Sequence, residues 1–388
     1  MDMSTIPDQL HLQARVAPWR RRWTAWRNGV LASPRFQFWA ARLPIVSAVS
    51  RRRAAQAFDL VAGFCYSQVL MAAVQVGLLD LLRAGPCSAE DLALASGLSP
   101  QAALRLVRAA AALDLAEEVA PGWWMLGQQG AALQANAGAL AMVRHHALLY
   151  ADLADPAALL LRDRAAPTAL SSFWHYAQDA SAAEAAPYSA LMAASQAMVA
   201  EQALGVYRFA RHKRLLDLGG GHGAFASAVA KACPALDVGV FDLPPVVAGA
   251  GAWLDAAGMR GRITLHGGDF FRDPIPAGHD CLTLVRVLHD HDDDACLALL
   301  RAARQALAPG GRLVVAEPMA KTPAAAAMGD AYFGFYLWAM NAGRPRSAAE
   351  YGALLKKAGF ARWRRLATAY PVVASVVVAV VLHLKTSR

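Results

Sequence analysis

From Arg214 onward the chain alternates short apolar runs with helical stretches, and this alternation constrains the possible folds most strongly. The apolar runs read RLLDLGGG, DVGVFDLP, RITLHGGDFF, CLTLVRVLHD and APGGRLVVAEPM. Strands separated by helices of about a dozen residues form βαβ units, whose strands lie parallel in one sheet. The second half of the chain is therefore predicted to be an α/β domain.

The first of these runs ends in a glycine-rich loop, Asp217-Leu-Gly219-Gly-Gly221-His-Gly223, just before a predicted helix. Glycines let the backbone approach a ligand closely, and the helix N-terminus offers unpaired N–H groups. Gly219, Gly221 and Ala224 also satisfy the dinucleotide pattern G-x-G-x-x-G/A. The loop indicates a nucleotide-type ligand, and a glycine-rich turn without a ligand stays an alternative.

Acidic residues follow the next two predicted strands. Asp242 closes the second strand, where a carboxylate is placed to bind both ribose hydroxyls of an adenosine. Gly268, Asp269 and Phe270 follow the third strand, where a carboxylate and an aromatic ring can hold an adenine. The segment 308–313, APGGRL, is predicted to be the turn before the fifth strand.

The region before this domain has a different texture, because residues 54–205 are rich in alanine and leucine and read as helical. Ser88 with Asp91 three residues later predicts a capping box. Ser99 before Pro100 predicts the start of a second helix. The segment PGWWMLGQQG then resembles a β-wing, so the pattern predicts a winged helix. The expected domains are a basic arm at 1–53, a helical winged-helix domain at 54–205 and a ligand-binding domain at 206–388.

The composition excludes several classes of protein. With 56% hydrophobic and 17% charged residues, the chain can bury a large core, and disorder over most of its length is not expected. Its five scattered cysteines contain no CxxC pair, which favours free thiols in a reducing compartment. The arginines near the N-terminus precede no apolar signal segment. Two uncharged runs, 60–79 and 371–384, are interpreted as a buried helix and a strand, and neither as a membrane span.

The net charge of +9 is concentrated in residues 18–53, which mix arginine with tryptophan and phenylalanine. Three interpretations of this arm stay open. It can be a solvated arm with some packing aromatics, a segment that lies on an anionic membrane surface, or an arm that binds nucleic acid.

The stretch RVLHDHDDDAC, residues 286–296, looks at first like a metal site because it holds two histidines and four aspartates. A strand-to-helix turn points neighbouring side chains apart, so no metal is expected there. The acids at 292–294 match the first turn of a helix, where they complement the macrodipole. His291 is interpreted as a loop residue.

The motifs DLGGGHG, FDLP, GGDFF, RVLHD and VVAE, in this order behind a winged helix, resemble small-molecule O-methyltransferases related to caffeate and acetylserotonin methyltransferases. The resemblance implies a class I methyltransferase Rossmann-like sheet, S-adenosylmethionine as cofactor, a homodimer and no metal. It implies that His289 is the general base, that Glu317 holds its imidazole, and that Asp290 is the neighbouring acid. The implied cofactor-binding residues are Gly219, Gly221, Asp242, Gly268, Asp269, Phe270 and Arg286.

Two further positions follow from the same resemblance. Met192 matches a methionine near the reacting sulfur. Where plant members read GKER this chain reads GRPR, so Pro345 replaces a second acid. The resemblance therefore implies that His289 and Glu317 form a dyad and not a triad.

The segments ASPRFQFWAARLP, FDLVAGFCYSQVL and FGFYLWAMNAGRPRS resemble the hydroxycarotenoid O-methyltransferases of purple photosynthetic bacteria. Those enzymes methylate the 1-hydroxy group of acyclic carotenoids of the hydroxyneurosporene or demethylspheroidene type. Aromatic residues in 327–347 and 173–176 would line the acceptor site. The resemblance implies a cytoplasmic enzyme with a peripheral contact to the inner or intracytoplasmic membrane.

Two alternatives to this acceptor stay open. A phenol or polyketide acceptor keeps the reaction and changes the substrate. A winged helix on a basic chain is also typical of a DNA-binding regulator. The predicted recognition helix offers only Arg105 and Arg108 among alanines, so nucleic acid is not expected as a partner.

Overall fold

The computed structural model describes residues 17–173 and 186–381, with Ile45 and residues 186–194 described by their backbone alone. The chain divides into two compact units, Met1–Leu70 and Met71–Arg388. The predicted domain boundaries near residues 54 and 206 follow changes in composition and stay predictions.

The first unit is helical. It contains α1 (Pro18–Ala32), α2 (Pro34–Ala40) and most of α3 (Pro44–Gln75). Proline opens α1 and α2, since the first helical position needs no N–H donor. The side chain of Ser33 caps α2 by accepting a bond from the amide of Phe36 at 3.5 Å. No side chain of α1 is buried.

The prediction that residues 60–79 form one buried helix is wrong in two respects. Gly77, with a φ of +71°, interrupts the helical run. Leu60 and Phe64 are 88% and 71% exposed, so this part of α3 presents apolar side chains to solvent. The helical segment Val46–Gln75 is long and apolar enough to cross a membrane by length and composition alone, and only 17% of its most apolar 18-residue stretch is buried.

The second unit begins with the predicted winged helix, which is confirmed. Its elements are α4 (Leu78–Ala84), α5 (Ala89–Ser96), α6 (Pro100–Ala112), β1 (Ala116–Ala120) and β2 (Trp123–Leu126). The predicted capping box is present, because the Ser88 hydroxyl accepts from the Asp91 amide at 3.1 Å and the Asp91 carboxylate accepts from the Ser88 amide at 2.9 Å. β1 and β2 pair antiparallel as the wing.

Further helices lead from the wing to the sheet domain. They are α7 (Gln128–Gln134), α8 (Ala137–Asp152), α9 (Pro156–Leu161) and α10 (Ala186–Val206). Asn136 caps α8 and Asp155 caps α9, each by accepting a backbone bond three residues on.

The sheet domain is a seven-stranded sheet in the order β5-β4-β3-β6-β7-β9-β8. Its strands are β3 (Arg214–Leu218), β4 (Asp237–Asp242), β5 (Ile263–Gly267), β6 (His279–Val285), β7 (Leu307–Glu317), β8 (Arg362–Leu366) and β9 (Ser375–Val380). β3 to β7 run parallel, and β9 is antiparallel to both of its neighbours. This is the predicted class I methyltransferase sheet, with its added C-terminal strands.

Both faces of the sheet are covered. Cys281 and Val285 of β6 belong to one core cluster, and Leu282 and Leu284 belong to the other. A pleated strand sends alternate side chains to opposite faces, so a strand buried on both faces is apolar throughout. The helices of this domain are α11 (Ala224–Ala232), α12 (Pro244–Ala256), α13 (Asp293–Ala306), α14 (Gly334–Ala339) and α15 (Ala348–Lys357).

Two C-terminal details differ from the sequence prediction. Residues 308–313 lie within β7 and not in a separate turn, and the pairing of β6 with β7 is irregular between His279 and Cys281. Gly310 has a φ of +76°, which lets the extended chain bend there. The valine-rich run forms β9 over Ser375–Val380, and residues 382–384 lie outside the described part of the chain.

Candidate active site

The glycine loop lies between β3 and α11, as the sequence predicts. Gly219, Gly221 and Gly223 have φ values of +69°, +58° and +84°, which L side chains rarely adopt. A Cβ on Gly219 would lie 2.8 Å from a methyl group of Val287, whereas a Cβ on Gly221 would meet nothing within 4 Å. The loop therefore keeps an open backbone surface at Gly221, where a ligand can approach.

Asp217, at the end of β3, has a buried carboxylate with one unused oxygen. Its Oδ1 accepts from the hydroxyl of Thr283 at 2.5 Å, and its Oδ2 has no hydrogen-bond partner among the described residues. Burial and the nearby Asp242 raise the pKa of Asp217 to about 7, against the opposing effect of Thr283. A buried carboxylate oxygen beside an open glycine loop fits a positively charged amino group, such as that of S-adenosylmethionine. The glycine-loop motif alone does not predict a role for Asp217.

Asp242 lies at the end of β4, next to the same loop. Its Oδ2 accepts from the amide of Gly221 at 2.6 Å, and its Oδ1 accepts from the amide of Leu243 at 2.7 Å. Burial raises its pKa, and these two hydrogen bonds oppose the rise. Each oxygen of Asp242 retains a further lone pair at this edge of the sheet, and a ribose contact for Asp242 stays a prediction.

The third loop, Gly268-Asp269-Phe270, follows β5. A Cβ on Gly268 would lie 2.7 Å from the ring of Phe241, so only glycine fits there. The Asp269 carboxylate accepts from the amide of Phe271 at 2.8 Å, which shapes its own turn. The rings of Phe270 and Phe271 meet edge to face at 4.7 Å. An adenine contact for Asp269 and Phe270 stays a prediction.

Arg286 follows β6 with a left-handed backbone, at a φ of +58°. Its amide donates to the carbonyl of Ala316 at 3.0 Å, and its guanidinium donates to the hydroxyl of Ser195 at 2.6 Å. Burial and the charge of His146 lower the pKa of His145, and the positive charge of Arg286 lowers it further as a smaller effect. Arg286 thus lies at the end of β6 and close enough to His145 to affect its pKa, and a cofactor contact for Arg286 stays a prediction.

His289 lies on the short turn that follows β6 and is 4% exposed. Its Nε2 lies 3.0 Å from Oδ1 of Asp290, an ion-pair distance without the alignment of a hydrogen bond. Its Nδ1 is buried and has no hydrogen-bond partner among the described residues. The ring stacks on Phe333 with 5.8 Å between centroids. His289 therefore offers one ring nitrogen to a ligand while a carboxylate lies beside the other.

The charges around His289 control its protonation. Burial by itself lowers the pKa of an imidazole. Here the negative charges of Asp290 and Glu317 outweigh burial and the positive charge of Arg286, so the pKa of His289 lies above its ordinary value. The two carboxylates therefore make the imidazole a stronger base and stabilise its protonated form.

The predicted contact between Glu317 and the imidazole is not present. The fully buried carboxylate of Glu317 accepts instead from the backbone amides of Val287 and Leu288 at 3.0 and 2.6 Å, and from that of His289 at 3.4 Å. Its second oxygen accepts from the hydroxyl of Tyr351. Three consecutive amides converge on one oxygen because the chain turns sharply after β6. Glu317 thus fixes the backbone that carries His289, and Asp290 is the acid at the ring.

The GRPR segment holds the same turn from the other side. Arg346 is fully buried and donates to the carbonyls of Leu288 and His291 at 2.8 and 2.7 Å. It also donates to Asp293 at 2.6 Å. A Cβ on Gly343 would lie 1.9 Å from the carbonyl oxygen of His289, so this glycine packs directly on the turn. The departure at Pro345 is visible in the sequence, whereas the burial of the arginine next to it is not predicted.

The acidic run after His289 divides as predicted, with one addition. Asp293 and Asp294 lie in the first turn of α13, as predicted. Asp293 also binds Arg344 and Arg346, a role that the helix pattern does not reveal. The ring of His291 packs edge-on against Phe271 at 5.1 Å. Among the described residues, no group of three or more His, Cys, Asp or Glu side chains is arranged to hold a metal ion.

An aromatic cluster lies beside the His289 ring. His145 Nε2 lies 2.9 Å from the hydroxyl of Tyr336, and His146 Nε2 lies 2.7 Å from the hydroxyl of Tyr332. Burial, His146 and Arg286 lower the pKa of His145 to about 4, so this imidazole is neutral at neutral pH. Phe333 bridges the cluster to His289. The aromatic cluster is defined as His145, His146, Phe173, Tyr332, Phe333 and Tyr336.

The sequence predicts only part of this cluster. The tyrosines of 327–347 are predicted to belong to both the core and the acceptor site, and Tyr336 is buried while Tyr332 and Phe333 are half-buried. The two histidines are not predicted, although a histidine pair in the largely apolar α8 is a visible signal. Residues 174–176 and the side chain of Met192 lie outside the described part of the chain.

The buried arginine permits a test of how the turn is held. We expect Arg346→Met to lower the free energy of unfolding by about 2–4 kcal/mol, because buried backbone carbonyls lose a charged donor. Arg344→Met removes the half-exposed neighbour that shares Asp293 and should cost under about 1 kcal/mol. Urea unfolding followed by circular dichroism measures both. Equal losses in the two variants would contradict the buried arginine's role.

Comparison with known proteins agrees with this arrangement. Residues 150–361 match the O-methyltransferase domain, and residues 58–130 match the O-methyltransferase dimerisation domain. The chain is 44% identical to demethylspheroidene O-methyltransferase of Cereibacter sphaeroides, over 90% of this chain and 92% of that one. It is 41% identical to the protein of the same name from Rhodobacter capsulatus, over 87% and 84%.

A solved structure extends the comparison to the cofactor. A methyltransferase of calicheamicin biosynthesis, determined in its SAH-bound form, superposes with a TM-score of 0.71 at 26% identity, over 85% of this chain and 98% of that one. The open glycine loop and the unpartnered oxygen of Asp217 fit the same type of ligand. This chain therefore belongs to the O-methyltransferase family and is an S-adenosylmethionine-dependent O-methyltransferase with an N-terminal dimerisation domain.

Proposed function

We propose that this enzyme methylates the 1-hydroxy group of an acyclic hydroxycarotenoid, with His289 as general base and no metal ion. The acceptor class is supported by the two relatives named demethylspheroidene O-methyltransferase, which are 44% and 41% identical to this chain. The base is supported by one observation above all. The Nδ1 atom of His289 is buried and unpartnered among the described residues, and the His289 ring stacks on Phe333 of the aromatic cluster.

The reaction requires alignment and removal of one proton. S-adenosylmethionine supplies, when bound, a methyl group that the positive sulfur has already activated. The His289 imidazole would take the proton of the acceptor hydroxyl as the hydroxyl oxygen bonds to the methyl carbon, and the carbon–sulfur bond would break with its electron pair staying on sulfur, so that S-adenosylhomocysteine leaves. The carboxylate of Asp290, 3.0 Å from the other ring nitrogen, stabilises the imidazolium that results. Glu317 acts through the backbone and keeps this turn in place.

The acceptor side combines apolar surface with few polar groups. His145 and Tyr336 bond to each other, as do His146 and Tyr332, so the aromatic cluster presents satisfied polar pairs within apolar rings. A long polyene fits such a surface because it offers many apolar contacts and only one hydroxyl. The hydroxyl would reach His289, and the rings would hold the hydrocarbon chain.

The assembly and location proposed for the enzyme follow from its domains and acceptor. The dimerisation domain at residues 58–130 supports a homodimer. Leu60, Val61 and Phe64 lie in this domain and are exposed in the single chain, as residues of a subunit interface would be. A carotenoid acceptor dissolves in membrane, so we place the enzyme in the cytoplasm with a peripheral membrane contact.

The acceptor proposal is tested by methyl transfer in vitro with detergent-dispersed substrates and EDTA present. We expect kcat/KM for hydroxyneurosporene to exceed that for catechols and hydroxyindoles by about 100-fold or more. Retained activity in EDTA is expected because the sulfonium needs no Lewis acid. The reverse ranking of acceptors would contradict the carotenoid proposal and favour a phenol or polyketide as the acceptor.

The base is tested by His289→Ala and His289→Gln. Both variants should bind S-adenosylmethionine with unchanged affinity by calorimetry and lose about 10²–10⁴-fold in kcat, the usual contribution of a positioned base. His291→Ala, on the same turn, serves as the matched control and should retain turnover. Unchanged kcat in both His289 variants would refute the assignment.

The pH dependence follows from the raised pKa of His289. The base acts when neutral, so kcat/KM rises with pH through that pKa. Asp290→Asn removes the main negative charge that raises the pKa and should move this acidic limb to lower pH. Asp294→Asn, an exposed acid in the first turn of α13, should leave the limb in place. An Asp290→Asn profile equal to that of the wild type would contradict the pairing.

A further inference from the structure

Helix α1 carries its tryptophans on one face. Trp19, Trp23 and Trp26 are separated by four and three residues, which places them on one side of a helix with 3.6 residues per turn. The rings of Trp23 and Trp26 lie 4.9 Å apart, which confirms the shared side. The three side chains are 68%, 56% and 60% exposed. Such large rings held in water on an otherwise polar helix require a partner surface.

Arginines lie on both sides of this tryptophan face. Viewed along the helix axis, Arg20 and Arg27 are rotated from the tryptophan face by about a quarter turn in one direction. Arg22 is rotated by a similar angle in the other direction. Residues 18–53 contain nine arginines and neither aspartate nor glutamate, so no acid of this segment neutralises them. The partner surface is therefore negatively charged where it meets these side chains.

The next helix continues the same composition. In α2, Phe36, Phe38 and Trp39 are exposed by 42%, 49% and 60%. The guanidinium of Arg42 lies over the ring of Phe38 at 3.4 Å, which keeps a cation next to an exposed aromatic ring. Two successive helices thus combine exposed rings with arginine.

We infer that α1 is a membrane-surface helix that lies along an anionic lipid bilayer, with its tryptophan face inserted at the headgroup level. Indole rings favour the membrane–water interface because they are apolar with one polar N–H. Arginines on the flanks reach lipid phosphates and acidic headgroups at that depth. This inference rests on the membrane contact proposed above and names the surface that makes it.

The charge pattern separates a bilayer from other partners. A second copy of this segment would bring the same positive charge and repel the first. A nucleic acid would pair with the arginines but would leave the tryptophan face in water. A bilayer satisfies both groups at once. With 15 residues α1 is about 22 Å long, too short to cross a hydrocarbon core of about 30 Å.

The test is flotation of the full-length protein with phosphatidylcholine vesicles that contain or lack a quarter of phosphatidylglycerol. We expect wild-type protein to float with the anionic vesicles, and less so at high salt. The triple variant Trp19→Ala, Trp23→Ala and Trp26→Ala should bind about tenfold or more weakly. No side chain of α1 is buried, so the variant should fold. Circular dichroism and a thermal melt check this.

A matched pair of charge variants tests the arginines. Replacing Arg20, Arg22 and Arg27 by glutamine should abolish the preference for anionic vesicles. Replacing the exposed Arg362, Arg364 and Arg365 of β8 by glutamine removes the same charge elsewhere and should leave vesicle binding unchanged. Equal losses in both variants would show that only net charge matters and would overturn the inference.

Further outcomes would also decide against the helix. A triple tryptophan variant that floats like the wild type excludes α1 as the contact. Tight binding to a random 30-base-pair duplex, without vesicle binding, assigns the arm to nucleic acid. Activity on detergent-dispersed acceptor should persist in the tryptophan variant. Absence of carotenoid turnover by the wild-type enzyme, with vesicle binding intact, would contradict the proposed acceptor and would still support the membrane helix.

Discussion

The turn after β6 depends on a single buried carboxylate. Glu317 is the last residue of β7, which pairs with β6. One oxygen of its carboxylate accepts hydrogen bonds from the backbone amides that follow β6. Unpaired amides in a buried turn would each carry a desolvation cost, so an ion that accepts from several of them stabilises one backbone conformation strongly. The position of the His289 ring follows from this conformation. Two neighbouring parallel strands thus supply the proposed base and the carboxylate that supports its turn.

The turn is also held by a cation on its opposite side. Arg346 donates to the carbonyls of the same turn whose amides bind Glu317. A fully buried arginine is tolerated here because Asp293 and two carbonyls use its donors. The carboxylate of Glu317 therefore binds the N–H groups of this short segment, and the guanidinium of Arg346 binds its C=O groups. Support of this kind would hold the proposed base within the narrow tolerance that methyl transfer requires.

Most of the sheet and the glycine loop could be predicted from the sequence, because strand periodicity and glycine loops are local signals. The roles of Glu317, Asp293 and Arg346 could not, since they depend on contacts between residues far apart in the chain. The imidazole contact expected of Glu317 is made by the adjacent Asp290. The exposure of Leu60 was also missed, because an uncharged helix looks the same in sequence whether its own chain or a second subunit covers it.

The half-used carboxylate of Asp217 is suited to couple ligand binding to proton release. Burial raises the pKa of Asp217 to about 7, so this group is partly protonated near neutral pH while Thr283 is its one hydrogen-bond donor among the described residues. An ammonium group placed against its free oxygen favours the ionised form, so the proton leaves as the cation arrives. The apparent affinity for a cationic ligand should then fall as the solution becomes more acidic. In this way the first strand of the sheet adjusts its charge to the ligand it receives.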